Sequence, residues 1–223
     1  MQRCADASDE QALAAGHDIV AVTRRAAQFP IAHDRLTVTE ADARDAAAVD
    51  RAVDGADVVL STLGVPFTRK PINVYSDGIR NIAAAMTSHG VMRLAVVSSS
   101  ATEPHHHADG GFLLNRIIQP LVTATIGKTT YRDMRKMEEI LRGSDLDWTI
   151  MRPSGLFDAP GVTDYELNDE RAPGIFTSRT DLAASLLQQA TDRRFVRKAV
   201  AVTTTHGTPT LFQILRREAF GRG

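Results

Sequence analysis

The sequence predicts an α/β fold, with a doubly wound parallel sheet in a single domain over residues 1–223. Short apolar runs rich in β-branched residues alternate with longer helical patterns, as strands and their crossover helices do. The runs are apolar on both faces, which is typical of parallel strands covered by helices. They occupy residues 19–22, 36–38, 58–60, 94–97, 148–151 and 199–202. A chain of 223 residues is long enough for one such domain with a buried core.

Helical patterns separate these predicted strands. They cover residues 10–15, 46–53, 74–88, 131–141 and 181–190. A glycine follows four of them, at the position where a helix commonly ends in a positive φ angle. These glycines are Gly16, Gly55, Gly90 and Gly143. The regular alternation implies right-handed crossovers between parallel strands. The stretch 158–176 lacks a clear period and is predicted to be an irregular region on the substrate side.

The composition excludes several classes of function. The formal net charge is −1, which gives no reason to expect a nucleic-acid or membrane partner. Cys4 is the single cysteine, so a disulfide framework is excluded and a reducing compartment is expected. No apolar run approaches the roughly 20 residues of a membrane span. We expect a cytoplasmic protein, a monomer or weak homodimer, that acts on a small-molecule substrate.

The three histidines at 105–107 invite a metal interpretation, which we do not adopt. Consecutive side chains point in different directions, and no acidic or cysteine cluster completes a ligand shell around them. A loop near the substrate entrance is the interpretation we favour, and no metal is expected.

The start of the chain departs from the alternating pattern. The helix 10–15, Gly16 and the strand 19–22 form the second half of a βαβ unit, yet residues 1–9 hold no β-branched run and no glycine. In a doubly wound sheet the first strand lies centrally, beside the point where ligands bind. We expect a truncated or altered start; the alternative is that a later strand or a partner fills the gap.

Three structural expectations follow from that start. Residues 1–9 should not form a buried strand, and strands 19–22 and 58–60 should lack a shared neighbour. Asp6, Ser8 or Asp9 should cap the helix that follows. Without a glycine loop to hold a pyrophosphate at a helix N-terminus, we expect weak dinucleotide affinity.

Arg24 and Arg25 directly follow the strand 19–22. In a dinucleotide-binding fold an acidic residue at this place holds the ribose 2′-hydroxyl, whereas an arginine accommodates a 2′-phosphate. Two adjacent arginines with no acid beside them favour NADP(H) over NAD(H). The alternative is a solvated turn.

Two further strand ends carry candidate binding residues. Asp42 follows the strand 36–38, where its carboxylate could contact an adenine edge, while Asp45 is explained as a helix N-cap. The strand 58–60 leads into Thr62, Leu63 and Gly64, and the glycine would let the backbone approach a cofactor. A plain turn is the alternative for this second segment.

Taken together, the segments resemble the atypical short-chain dehydrogenase/reductases, and most closely the NmrA-like and flavin-reductase (biliverdin reductase B)-like branch. The similarity depends on the order and spacing of several segments, which cover residues 10 to about 205. They are Val-Thr-Arg-Arg at 22–25, Asp-Ala-Arg-Asp at 42–45, and the stretches 53–64, 90–100, 144–156 and 178–183. The branch's glycine loop would fall on residues 1–6, none of which is glycine.

The resemblance implies a Rossmann-like domain that binds NAD(P)H at the carboxyl edge of its sheet. Arg24 and Arg25 would meet the 2′-phosphate, and Asp42 and Ala43 would line the adenine. The remaining cofactor-binding residues would lie along the ribose, the pyrophosphate and the nicotinamide. They are Thr62, Leu63, Gly64, Ser98, Ser99, Pro153, Ser154 and Leu156.

The same resemblance implies two catalytic candidates, Ser100 and Tyr131. A serine at the first position can hydrogen-bond a substrate carbonyl, and a tyrosine at the second can pass a proton to it. Relatives carry Tyr-x-x-x-Lys, but here the fourth residue after the tyrosine is Arg135, which is not an equivalent cation. A helix whose Met134 and Met137 simply face the core is the alternative.

The function predicted from this resemblance is an NAD(P)H-dependent oxidoreductase that transfers hydride to a small organic acceptor such as a quinone, a flavin or a carbonyl compound. A non-catalytic, NADP-sensing regulatory protein is the first alternative. A truncated form that no longer binds cofactor is the second.

Overall fold

A computed structural model describes residues 2–68, 70–102, 127–169 and 174–209. Its five helices in these ranges are α1 (Gln2–Ala14), α2 (Ala46–Val53), α3 (Val74–His89), α4 (Lys128–Arg142) and α5 (Arg179–Gln188). The nine strands are β1 (Ile19–Thr23), β2 (Leu36–Glu40), β3 (Val58–Ser61), β4 (Arg93–Val97), β5 (Asp147–Pro153), β6 (Gly155–Phe157), β7 (Tyr165–Asn168), β8 (Phe176–Ser178) and β9 (Lys198–Thr204). The three histidines at 105–107 lie outside the described residues.

The parallel strands fall into two groups. β1 and β2 pair only with each other, whereas β3, β4, β5, β9 and β7 form a five-stranded sheet in that order. β6 and β8 make a short separate pair. Within the described ranges, no strand joins β1 to β3, so the two expected neighbours of a shared strand have none. That prediction is confirmed.

The core lies on both faces of the five-stranded sheet. On one face α3 and α4 pack against β4 and β5, with Ile79, Met137 and Leu141 fully buried. On the other face α5 packs with α1, and Cys4 of α1 is completely buried there. The apolar periodicity of α4 therefore predicted its buried face correctly, since Met134 and Met137 both point inward.

Residues 2–9 are helical, which confirms that they do not form a buried strand. The predicted caps are wrong, because α1 already begins at Gln2 and thus Asp6, Ser8 and Asp9 lie inside it. These side chains therefore lie in the interior turns of the helix. The backbone N–H groups there already donate within the helix, so no free donor remains for a capping side chain.

The predicted burial of both strand faces is confirmed for β4 and β5, is partial for β3 and β9, and is wrong for β1. All five residues of β4 are buried, but Val20 and Val22 of β1 are 49% and 44% exposed. A strand is covered on both faces only where helices or neighbouring elements lie against it, and β1 has fewer of these.

The irregular region predicted for 158–176 is also corrected. It contains β7, which runs antiparallel to β9 at the edge of the sheet, and the first residue of β8. Alternation of half-buried and exposed residues in β7 follows from an edge strand with one covered face. Gly143 is a second correction, because its φ of −87° is an ordinary right-handed value, unlike those of Gly16, Gly55 and Gly90.

Candidate functional site

The loops that follow β1 and β2 lie side by side. Thr23 is opposite Glu40 in the parallel register, and the Ala41 amide donates to the Thr23 carbonyl at 2.9 Å. This bond carries the pairing past the end of the strands and brings Arg24 next to the segment that begins at Asp42. Parallel strands present their carboxyl ends at one edge, which is where ligands of such sheets bind.

Arg24 and Arg25 are both exposed at this edge. In the described ranges, neither guanidinium forms an ion pair with a carboxylate. Exposed guanidinium groups with free N–H donors are well suited to a phosphate, which they can bind through two parallel hydrogen bonds. The chemistry of these donors therefore fits a cofactor that carries a 2′-phosphate.

Asp42, the predicted adenine contact, is already engaged by its own loop. Its carboxylate accepts from the Arg44 backbone at 2.9 Å, from Arg44 Nε at 3.0 Å and from Arg44 NH2 at 2.7 Å. These hydrogen bonds lower the pKa of Asp42 to about 2, and the charge of Arg24 also lowers it. The carboxylate is thus ionised and paired. Asp45 caps α2 by accepting from the Ala48 amide, as predicted.

Helix α3 contacts the loops that follow β2 and β3. A Cβ atom added at Gly78 would lie 2.8 Å from Leu63 Cδ1 and 3.2 Å from Ala43 Cβ. Asn81 donates to the Ala43 carbonyl at 2.9 Å, which fixes the same loop from the next turn of α3. The structure therefore brings together Ala43 and Leu63, two predicted cofactor-lining residues from different strand ends. Close helix packing, rather than a ligand, is what requires glycine at 78.

Tyr131 lies at the carboxyl end of β4. Burial raises the pKa of its phenol, and the neighbouring Ser99 side chain lowers it in part. The Phe67 ring packs against the Tyr131 ring at a centroid distance of 5.9 Å. Ser99, which we predicted as a cofactor contact, is thus the serine set against Tyr131, while Ser100 begins a short 3₁₀ turn beyond it.

The serine before them has a different environment. Ser98 is buried, and its hydroxyl donates to Glu138 Oε1 at 2.6 Å. Arg152 of β5 also donates to both oxygens of this carboxylate, and Thr102 Oγ1 lies 2.9 Å from the first. A buried carboxylate therefore ties β4, β5 and α4 together directly behind Tyr131. The Ser98 hydroxyl is therefore engaged in this network. From the sequence we had predicted that Ser98 contacts the nicotinamide.

A second buried carboxylate lies on the same helix. Asp133 accepts from the Tyr75 amide at 2.9 Å and from the Ser76 hydroxyl at 2.5 Å. It thereby satisfies orphan donors in the first turn of α3, as a cap from outside that helix. Tyr75 in turn lies 3.4 Å from the Val65 amide, which follows the third strand end. Asp133 thus holds α3 in the position from which it contacts that loop.

The end of β5 and the segment that follows it carry the remaining predicted cofactor-binding residues. Ser154 donates from its amide to Thr177 Oγ1 at 3.1 Å, and β6 then pairs with β8 in parallel. Pro153 ends β5 and is buried, whereas Leu156 is half-buried. The structure thus places these predicted nicotinamide residues at the carboxyl end of β5, next to the end of β4.

Two functional candidates were missed from the sequence, Glu138 and Arg152. A signal was present, because Asp133 and Glu138 fall on the same face of α4 as Met134, Met137 and Leu141. A carboxylate in an apolar stripe must find a buried partner, since an unpaired buried charge is costly. The partner itself could not be identified, because it lies on another strand.

Comparison with known proteins places this arrangement in context. The family described as NAD(P)H-binding matches residues 6–193. A UPF0659 protein of Schizosaccharomyces pombe is 28% identical over 134 residues, and the chain spans about half of its length, 52%.

Solved structures share the fold. A short-chain dehydrogenase/reductase from Veillonella parvula in complex with NADP has a TM-score of 0.73 at 20% identity, over 91% of this chain and 90% of that one. ChuY, an anaerobillin reductase from Escherichia coli O157:H7, has a TM-score of 0.67 at 22% identity, over 92% and 93%. These similarities confirm the predicted Rossmann-like α/β fold.

Two features are absent from the described residues. No helix among them has the length and apolar character needed to cross a membrane. Nor do they bring three or more His, Cys, Asp or Glu side chains together in a group that could hold a metal ion.

Proposed function

Because the chain belongs to the NAD(P)H-binding family, we propose that it is an NAD(P)H-dependent oxidoreductase that transfers hydride to a small organic acceptor, a quinone, a flavin or a carbonyl compound. The observation that carries the proposal is the position of the half-buried Tyr131 phenol beside Ser99, just past the carboxyl end of β4. It puts two hydroxyl groups at the carboxyl end of the five-stranded sheet, whereas Arg24 and Arg25 follow the carboxyl end of the separate β1–β2 pair.

The proposed cofactor-binding residues fall into two groups, one at each end of the site. Arg24 and Arg25 bind the 2′-phosphate, which makes NADP(H) the preferred cofactor. Ala43 and Leu63, held by α3, line the adenosine half, and Pro153 to Leu156 close the opposite end. When bound, the reduced nicotinamide supplies the hydride, and the protein supplies position and environment.

The role of Tyr131 depends on the acceptor. For a carbonyl, the phenol proton would move to the carbonyl oxygen, with the Ser99 side chain beside the phenol. For a quinone or flavin, no residue of the chain needs to deliver a proton during hydride transfer. We favour this second class, because burial raises the pKa of Tyr131 and makes it a weaker acid.

One observation favours a non-catalytic NADP sensor as the second candidate. Arg135, the residue four positions after Tyr131, donates from Nε to the Thr102 carbonyl at 2.7 Å. A cation committed to a backbone carbonyl contributes little to lowering a phenol pKa. The site would then bind the dinucleotide without activating a proton donor.

Titration with NADPH and NADH, followed by oxidation assays with quinones, flavins and aldehydes, distinguishes these candidates. An oxidoreductase binds NADPH more tightly than NADH and oxidises it with at least one acceptor class. A sensor binds NADPH and leaves it reduced with every acceptor. Failure to bind either cofactor would rule out both.

Two variants refine the assignment. Tyr131→Phe should reduce carbonyl turnover by about 10²–10⁴-fold if the phenol is the general acid, and should change quinone turnover only a few-fold. Tyr165→Phe is the matched control, because Tyr165 lies on β7 and its hydroxyl contacts Gln188. Arg24→Asp should narrow or reverse the NADPH preference.

We also propose a cytoplasmic location and a monomer or weak homodimer without a nucleic-acid or membrane partner. The location rests on the single cysteine, and the absence of a nucleic-acid or membrane partner rests on the near-neutral charge. Fractionation of cells and light scattering of the purified chain test them.

A further inference from the structure

The pair formed by Asp42 and Arg44 presents a problem for a site that binds a phosphate. Asp42 keeps its negative charge at neutral pH, because Arg44 stabilises the ionised form. It lies at the same strand ends as Arg24, whose charge it feels. A bare carboxylate there would repel a 2′-phosphate and accept a hydrogen bond from a ribose 2′-hydroxyl, which is the chemistry that selects NADH.

Arg44 covers that carboxylate from two sides. Its Nε and NH2 atoms donate to different oxygens of Asp42, in the two-point geometry that only arginine provides. The Asp42 and Arg44 side chains are 29% and 48% exposed, so the pair lies at the surface where a ligand can reach it. Another carboxylate whose charge Arg44 feels, that of Asp77, is paired with Arg80 at 2.7 Å.

We propose that Arg44 is a specificity-determining residue that masks the Asp42 carboxylate, so that this edge of the sheet presents net positive charge to a 2′-phosphate. The inference rests on the proposed binding of NADP(H) and adds the reason why an acidic residue beside Arg24 does not reverse the preference. Arg44 acts through Asp42 and does not itself hold the phosphate. Removing Arg44 exposes a repulsive charge, and removing both partners leaves neither charge.

A double-mutant cycle on the whole chain tests this mechanism. Calorimetric titration with NADPH and NADH gives the ratio of the two dissociation constants for the unmodified chain, Arg44→Ala, Asp42→Asn and Asp42→Asn/Arg44→Ala. Arg44→Ala should lower the NADPH preference by about tenfold, the scale of one charge-assisted interaction. The double variant should recover the original ratio to within about threefold. With both side chains uncharged, this pair exerts neither repulsion nor attraction on the 2′-phosphate that distinguishes the two cofactors.

Two more variants keep the result interpretable. Arg44→Lys retains a positive charge beside Asp42 and should retain most of the preference, even if Arg44→Ala unfolds. Arg51→Ala removes an equal charge from the last turn of α2 and should leave the ratio unchanged.

The contrary results are distinct. A double variant as poor in NADPH preference as Arg44→Ala means that Arg44 contacts the phosphate directly, which overturns the masking mechanism. An unchanged ratio in Arg44→Ala overturns it as well. If the unmodified chain binds neither cofactor, the proposed function fails and this inference fails with it; tight NADPH binding with an unchanged ratio refutes the inference alone.

Discussion

The β1–β2 pair and the five-stranded sheet are built from similar apolar sequences but are buried to very different degrees. Ile-Val-Ala-Val-Thr in β1 leaves two valines about half exposed, whereas Arg-Leu-Ala-Val-Val in β4 is buried throughout, its arginine included. β4 has a strand on each side and helices on both faces, while β1 has a single strand neighbour. Local sequence thus sets the strand, and neighbouring elements set its burial.

The same contrast divides the proposed cofactor site. The arginines proposed to select NADP(H) follow the exposed β1–β2 pair, whereas Ser99 follows the buried strand β4 and Tyr131 lies beside it on α4. Elements with few buried contacts open more readily than those in a core. We therefore expect the adenosine end to be the less rigid half of the site.

The largest effect is expected from the buried carboxylate that ties the five-stranded sheet to α4. Glu138→Ala should destabilise the protein by about 3–5 kcal/mol, because it breaks the buried ion pair between Glu138 and Arg152. Urea unfolding measures the loss. Glu139→Ala, at an exposed position on the same helix, is the control and should cost little. Equal losses in the two variants would mean that the network contributes nothing.

Hydrogen exchange compares the two strand groups directly. Amides of β4 should exchange only through global unfolding, and those of β1 through local opening, so their rates should differ by about 100-fold or more. Mass spectrometry of peptic fragments measures both in one sample. Equal protection of the two strands would show that the β1–β2 pair is as firmly held as the sheet, and would remove the contrast.

Matched valine substitutions sharpen the comparison at the level of one side chain. Val96 in β4 is completely buried, and Val22 in β1 is 44% exposed. Val96→Ala should cost about 2 kcal/mol from lost burial and the cavity left behind, and Val22→Ala less than half of that. Thermal or urea unfolding of both variants gives the difference. A larger loss at Val22 would indicate that the exposed face is covered in solution.

The smallest effect is expected in α1, through its pH dependence. Burial, with a smaller contribution from Asp6, raises the pKa of Asp9 from 3.8 to about 6. The folded protein therefore holds this proton more tightly than the unfolded chain, so the associated stability is present in acid and is lost as the pH rises from 3.8 to about 6.

Asp9→Asn removes the charge that α1 has to accommodate at neutral pH. It should stabilise the protein by about 1 kcal/mol at pH 7, a reduced value because the carboxyl is partly exposed. The gain should disappear below pH 3.8. Asp18→Asn, at an exposed position before β1, should show no such dependence. A gain that persists in acid would assign the effect to something other than ionisation.

The kinds and approximate positions of most elements could be predicted from the amino-acid sequence alone. Alternating β-branched runs and helical periods located the strands β1 to β5 and β9 and the helices α2 to α5, because those periods reflect which side chains can face a core. The sequence also predicted that Asp45 caps α2 and that residues 1–9 do not form a buried strand, and it located the two arginines that follow β1.

Which side chains contact one another depends on the tertiary fold and could not be predicted from the sequence. The proximity of Ser99 to Tyr131, and the burial of Glu138 against Ser98 and Arg152, bring together residues that lie 14 to 40 positions apart in the sequence and on different elements. No local pattern fixes such distances. The antiparallel edge strand β7 and the exposure of β1 likewise depend on neighbours in space, because a strand's burial is a property of what packs against it rather than of its own residues.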